Sequence, residues 1–132
     1  MNNSILPTYN RSNLSFERGQ GSWLETKSGE RYLDFSSGIA VNSLGHCHPK
    51  LVQAITDQAS KLWHTSNLHR IDLQEKLADF LVSNSFADKV FFTNSGAESV
   101  ECAIKIARKF FYEKGNKKKN KIITFEGSFH GR

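Results

Sequence analysis

A chain of 132 residues with 38% hydrophobic and 11% aromatic content holds material for one domain or part of one, and is too apolar for wholesale disorder. Two cysteines, Cys47 and Cys102, make no disulfide framework. With an opening, MNNSILPTYN, that lacks both regions of a secretory signal, they read as reduced thiols of a cytoplasmic protein. The net charge is +5, and no apolar run is long enough to span a membrane, so a membrane partner is not expected.

In chain order, SWLETKSGERYLDF reads as two short strands around the turn KSGE, with Gly29 supplying the positive φ. The segment SSGIAVNSLGHCHP is rich in small residues and reads as irregular. His46 and His48 flank Cys47 there, but two histidines without a further ligand at metal spacing make no metal site. Pro49 suits the first turn of a helix, PKLVQAITDQASKLW, whose Leu51, Ile55, Ala59 and Leu62 recur at helical spacing and predict a buried stripe. HTSNLHR, which carries His64 and His69, breaks the pattern. Asp72 and Glu75 then have capping-box spacing, and Leu73, Leu77, Phe80 and Leu81 form the apolar face of a second helix, closed by SNSFADK.

KVFFT is short and apolar, as expected of a strand covered on both faces. The helix that follows places Val100, Ala103, Ile104, Ala107 and Phe111 on one face and Lys105 and Lys109 on the other. Gly115 ends it, and KIITF is a second apolar strand. Strand, helix, strand in that order predicts a βαβ unit with a parallel pair. Most of the charge excess lies in KGNKKKNK, residues 114–121, which reads as a solvated loop. A nucleic-acid patch would want aromatic residues among the lysines, and the run has none, so no nucleic-acid partner is expected.

The helix start TNSGAES carries the chemistry. Ser95 and Glu98 form a capping box, in which Ser95 accepts from the N–H of Glu98 and Glu98 reaches back to that of Ser95. The N–H groups of Gly96 and Ala97 are left without intrahelical partners, at the positive end of the helix dipole. Two readings stand: a well-capped helix, or a cradle for a phosphate that Gly96 lets approach the backbone. EGSFHGR follows the second strand and would emerge on the same sheet edge, where open α/β sheets place their ligands.

TNSGAESVECAIKIAR followed by FEGSFHGR, with YLDFSSGIAVNSLGHCHPKLVQAI and LWHTSNLH upstream, resembles the class III pyridoxal-phosphate aminotransferases over residues 9–132. The resemblance implies an α/β fold, the N-terminal part of the fold-type I transferase architecture, which is a three-layer αβα sandwich with a mainly parallel sheet when complete. It implies a small-domain segment over residues 1–70 and the start of the large cofactor-binding domain over 71–132. It implies the cofactor pyridoxal 5'-phosphate, held by Ser95, Gly96 and Ala97 at its phosphate and by Phe129 stacked on its ring, with Arg132 binding a substrate carboxylate. The implied reaction moves an amino group between N-acetylornithine and 2-oxoglutarate in arginine biosynthesis, in a homodimer. Ornithine, succinylornithine or 4-aminobutyrate are alternative donors within the class. His64 and His69 would lie near the active site, and His130 beside the ring platform, with no chemistry assigned to them. An alternative of another class is a small protein holding a phosphate or nucleic acid through SGAE and the lysine loop.

The family also needs a lysine bonded covalently to the cofactor and an acidic partner for the pyridine nitrogen, both downstream of the match to FHGR. Lys105, Lys109 and the lysines of residues 114–121 are expected on solvated faces, unlike a lysine whose pKa a pocket must lower. A two-stranded parallel sheet cannot cover its own faces. The sequence is therefore expected to be an N-terminal fragment, inactive by itself and prone to aggregate.

Overall fold

A two-residue turn, Gly21 and Ser22, folds the first two strands together. In the computed structural model, which describes residues 4–131, β1 (Phe16–Gln20) and β2 (Trp23–Thr26) are antiparallel, and β3 (Arg31–Leu33) pairs with β2 to give the order β1-β2-β3. Gly21 has φ +55, the sign that such hairpin turns demand. The pairs Arg18↔Glu25 and Phe16↔Thr26 leave Glu17 as the extra residue of a bulge. The second turn is the expected one. Thr26 N–H donates to Glu30 O and Gly29 N–H to Thr26 O, both at 3.0 Å, and Gly29 takes φ +84. The Thr26 side chain, tied to Ser28 Oγ at 2.9 Å and to the Glu30 N–H at 3.2 Å, is buried inside this turn. Across the sheet, Phe16 meets Tyr32 edge-on at 5.6 Å, and the Arg31 guanidinium lies 4.8 Å from the centre of the Trp23 ring.

The sheet belongs to the first of two units, Met1–Thr65 and Ser66–Arg132. In the same unit, SSGIAVN is not irregular. α1 (Ser37–Ala40) is one turn of left-handed backbone, with φ of 46° at Ser37, 62° at Gly38, 64° at Ile39 and 60° at Ala40. Three of the four residues carry a Cβ that disfavours this region. α2 (Pro49–Ala59) opens with Pro49 at its first position, as expected, but stops four residues before Trp63. There the Lys61 and Leu62 N–H groups turn back to Gln58 O, and the Trp63 indole donates to Ala59 O.

In the second unit, α3 (Asp72–Ser83) begins one residue earlier than the capping reading requires, with Asp72 already inside the helix. Ile71 is the cap, and no side chain bonds to the free N–H groups. Glu75 is instead held by Arg70, whose Nε and Nη2 grip its two carboxylate oxygens. α4 (Gly96–Glu113) is capped at both ends. At its C-terminus Gly115, with φ +77, donates to Tyr112 O at 3.0 Å and Asn116 donates to Phe111 O at 2.9 Å, a Schellman closure.

Two expectations are corrected here. KVFFT and KIITF flank α4 without regular secondary structure, and neither is a strand, so the βαβ unit is present only as its helix. A strand exists only as a partner in a hydrogen-bonded ladder, and neither run has a ladder among the described residues. The apolar stripes are also uncovered. Leu51, Ile55 and Leu62 on and after α2, and Leu73, Leu77 and Phe80 on α3, are all exposed, and no large apolar side chain is buried among the described residues. Among the described residues of each unit no helix packs on a strand or on another helix.

Candidate functional site

The start of α4 is built by a small network of hydroxyls. Ser95, in extended backbone (φ −152°), accepts from the Glu98 N–H at 3.2 Å and donates to Glu98 Oε2 at 3.2 Å. Glu98 thus reaches the Ser95 hydroxyl and not its N–H, a correction to the reciprocal box. Asn94 Nδ2 donates to the other Glu98 oxygen at 3.5 Å. Thr93 Oγ1 donates to Ser95 O at 3.1 Å and shares a hydrogen bond with Ser99 Oγ. The first helical bond runs from Ser99 N–H to Ser95 O. The N–H groups of Gly96 and Ala97 have no acceptor within the helix, and both residues are exposed.

Two glycines define the space around this end. A Cβ on Gly96 would meet nothing within 4 Å, so nothing in the described chain requires a glycine there. Gly131 is the opposite case. Its φ is +102, and a Cβ on it would lie 2.5 Å from the Ala97 Cβ. The loop of residues 126–131 therefore returns to the α4 N-terminus at Gly131, and only a residue without a side chain fits the contact. Within that loop Gly127 takes φ +74, and Ser128 N–H closes a turn on Phe125 O at 3.2 Å. Phe129, two residues before the contact, is almost fully exposed (89%), with its ring against no other ring among the described residues. His130 beside it is exposed. Arg132 lies outside the described residues.

The other flagged histidines have separate places. In the first unit, His46 Nε2 lies 2.8 Å from Asp34 Oδ2, and His46 Nδ1 lies 2.9 Å from Asn42 Nδ2. A carboxylate only accepts, so Nε2 carries a proton, and Nδ1 accepts from Asn42 in the neutral ring. Asp34 also accepts from the Ser36 hydroxyl at 2.7 Å and from the N–H groups of Ser36 and Ser37. The Ser36 hydroxyl, then His46 and the Ser37 N–H, hold the Asp34 carboxyl down to about 2 from its usual 3.8. Sequence reasoning missed this cluster, and residue types alone could not have supplied the pairing across twelve positions. It also missed β1, for which the Gly21-Ser22 dipeptide is the available signal. His48 caps α2, and its Nδ1 is buried with no hydrogen-bond partner. His64 and His69 are exposed. Among the described residues no three His, Cys, Asp or Glu side chains gather as metal ligands, and no helix is long and apolar enough to cross a membrane.

The lysines considered as covalent anchors are exposed. Lys105 pairs with Glu101 and Lys109 with Glu113, while Lys114, Lys117 and Lys119 lie over aromatic rings.

The family model described as aminotransferase class-III matches residues 7–132. An acetylornithine aminotransferase of Agrobacterium fabrum is 63% identical over 128 residues, which are 97% of this chain and 32% of that protein. One of Rhodobacter capsulatus is 60% identical over 129 residues, 98% of this chain and 33% of that protein. The crystal structure of an N-acetylornithine aminotransferase from Stenotrophomonas maltophilia superposes with a TM-score of 0.84 at 45% identity, covering 93% of this chain and 34% of that one. The chain thus spans about a third of the length of the relatives it matches.

Proposed function

The chain belongs to the class-III aminotransferases, and on that premise we propose that it forms the cofactor-phosphate portion of an enzyme that moves an amino group between N-acetylornithine and 2-oxoglutarate. The observation that carries the reading is Gly96. The described chain gives no internal reason for a glycine at the first position of α4, whereas a ligand approaching the backbone there is a reason.

The residues fit the phosphate of pyridoxal 5'-phosphate. The Gly96 and Ala97 N–H groups are free to donate, and the helix dipole favours a negative charge beside them. For Ser95 to donate as well, its hydroxyl must leave the Glu98 carboxylate that now accepts from it. Glu98 is itself an anion at this terminus, so the phosphate shares the site with a like charge, and Asn94 moderates that by hydrogen-bonding the carboxylate. Phe129, exposed on the loop that Gly131 tethers to Ala97, would give the pyridine ring a face to stack on. Arg132 would grip a substrate carboxylate with its planar fork. When bound, the cofactor supplies the electron sink for amino transfer. This chain's part is to hold and orient the cofactor and the substrate carboxylate.

The names of the relatives motivate acetylornithine as donor and arginine biosynthesis as context. The same reading takes the complete enzyme to be a cytoplasmic homodimer, with residues 1–70 in its small domain and 71–132 opening its large one.

Two measurements test this. Pyridoxine 5'-phosphate lacks the aldehyde that would label surface lysines, so titrating it and unphosphorylated pyridoxine into the chain isolates the phosphate. Shifts of the Gly96 and Ala97 amides with the first ligand only are expected, and equal shifts with both would overturn the site. For the reaction, this chain replaces the matching segment of the Agrobacterium fabrum relative. The chimera is expected to transfer from N-acetylornithine to 2-oxoglutarate, and a folded chimera that prefers ornithine would refute the donor.

A further inference from the structure

We propose that the concave basic surface at the C-terminal end of α4 binds single-stranded nucleic acid. From Lys105 to Lys121 the sequence has eight cations and one carboxylate, Glu113, for a net +7, so the remainder of the chain is net −2. Lys109 occupies Glu113, and Lys105 is paired with Glu101. Arg108, Lys114, Lys117, Lys118, Lys119 and Lys121 have no carboxylate partner among the described residues.

The loop that carries these charges is a built structure. The Schellman closure at Gly115 starts it, Lys119 N–H donates to Asn116 O at 3.0 Å, and Arg108 Nε donates to Asn120 O at 3.1 Å. The fold also supplies what the linear run lacks. Tyr112 lies among the cations, with Lys109 Nζ 5.6 Å and Lys117 Nζ 4.8 Å from its ring centre, and Lys119 Nζ is 4.2 Å from that of Phe111. A cavity of about 670 Å³ opens here, lined by Arg108, Lys109, Tyr112, Lys117 and Lys119 among others.

The shape and chemistry select the occupant. A cation rim suits the phosphates of a nucleotide backbone, and an aromatic ring within the rim suits a base stacked on it. Inorganic polyphosphate has no use for the ring. A bilayer takes a flat or protruding amphipathic face, and this one is concave. A bound base would take the place of Lys117 on the Tyr112 ring and release that ammonium to a phosphate.

Fluorescence anisotropy of labelled oligothymidylate with the 132-residue chain tests the proposal. Binding should weaken with salt, with a log–log slope of about −0.7 per phosphate contact. Joint Lys117→Glu, Lys118→Glu and Lys119→Glu should lose at least about tenfold at low salt. The same charge change placed elsewhere, Lys27→Glu, Lys50→Glu and Lys61→Glu, should lose far less. Tyr112→Leu should weaken oligothymidylate by about tenfold, the size of one lost stack, and leave inorganic polyphosphate unaffected. Helical circular dichroism accompanies each variant, and Lys117→Gln with Lys119→Gln is the milder replacement should the triple change unfold α4. Equal losses from the two triple variants, an inert Tyr112→Leu, or equal affinity for polyphosphate or phosphatidylserine vesicles would each overturn it.

Discussion

Asp34 and His46 meet across twelve residues through a hydrogen bond of 2.8 Å between Oδ2 and Nε2, and so tie the end of β3 to the GHCH segment. The Asp34 side chain is 7% exposed and that of His46 25%. The carboxylate gathers four donors, three of them from the two serines that begin the left-handed turn. The segment's departure from ordinary backbone is thus anchored by one acid.

That acid sets a pH window. The Asp34 pKa is lowered from 3.8 to about 2 in the folded chain. Its contribution is therefore complete above the unfolded value and is lost as pH falls from about 4 towards 2. Fluorescence of Trp23, one strand away, should report loosening of the first unit in this window, and Asp34→Asn should remove the pH dependence there while weakening the unit at neutral pH. An unchanged acid profile in Asp34→Asn would show that another group controls it.

The two glycines at the α4 start should respond oppositely. Gly131→Ala meets the Ala97 Cβ at 2.5 Å and forces a side chain onto φ +102, so it should detach the loop, seen as faster amide exchange after Phe129. Gly96→Ala has free space and a better helix former, so α4 should be unchanged or firmer by up to about 0.5–1 kcal/mol, while the pyridoxine 5'-phosphate shifts diminish. Unimpaired binding by Gly96→Ala would remove the reason for the glycine.

Ser95→Ala removes the one side-chain cap of α4. The first turn should lose about 1 kcal/mol, roughly a fivefold fall in exchange protection of the Glu98 amide. Ser95→Asn or Ser95→Asp should restore most of it, which a purely steric effect would not allow.

Ile39 spends conformational energy without visible return, since its φ is +64 and its side chain is 92% exposed. Ile39→Gly should relieve about 1 kcal/mol, partly offset by the greater freedom of glycine when unfolded. Exchange protection of the Val41 and Asn42 amides, both bonded to Ser37 O, reads the result. A fall in their protection would mean that the isoleucine side chain supports the turn.

The uncovered stripes predict association. Leu51, Ile55 and Leu62 face one way and form, with Trp63, an apolar surface that nothing among the described residues of the first unit covers. Sedimentation velocity should show concentration-dependent self-association of the 132-residue chain, reduced by Ile55→Glu. A monomer at all concentrations would count against it.

Several features that depend on neighbours within about four residues were legible in the sequence, although the left-handed turn of α1 and the start of α3, equally local, were not. The turn at Gly29, the start at Pro49, the cap at Ser95 and the stop at Gly115 are each set by a local hydrogen bond or a single dihedral. The family was legible for a related reason, since its motifs are short contiguous runs around such features. KVFFT and KIITF were read by composition, which states what a strand would be made of and not whether a ladder exists to receive it.

Sequence alone therefore determined the presence of α2, α3 and α4, the start of α2, both ends of α4 and the family. Only the tertiary structure decided that Asp34 belongs to His46, that Gly131 closes on Ala97 and that Tyr112 lies among the lysines. The reason is physical. Helix and turn bonds close over a few residues and are fixed by local propensity, whereas these contacts bring together residues that no periodicity relates, or side chains whose meeting depends on how a loop folds back.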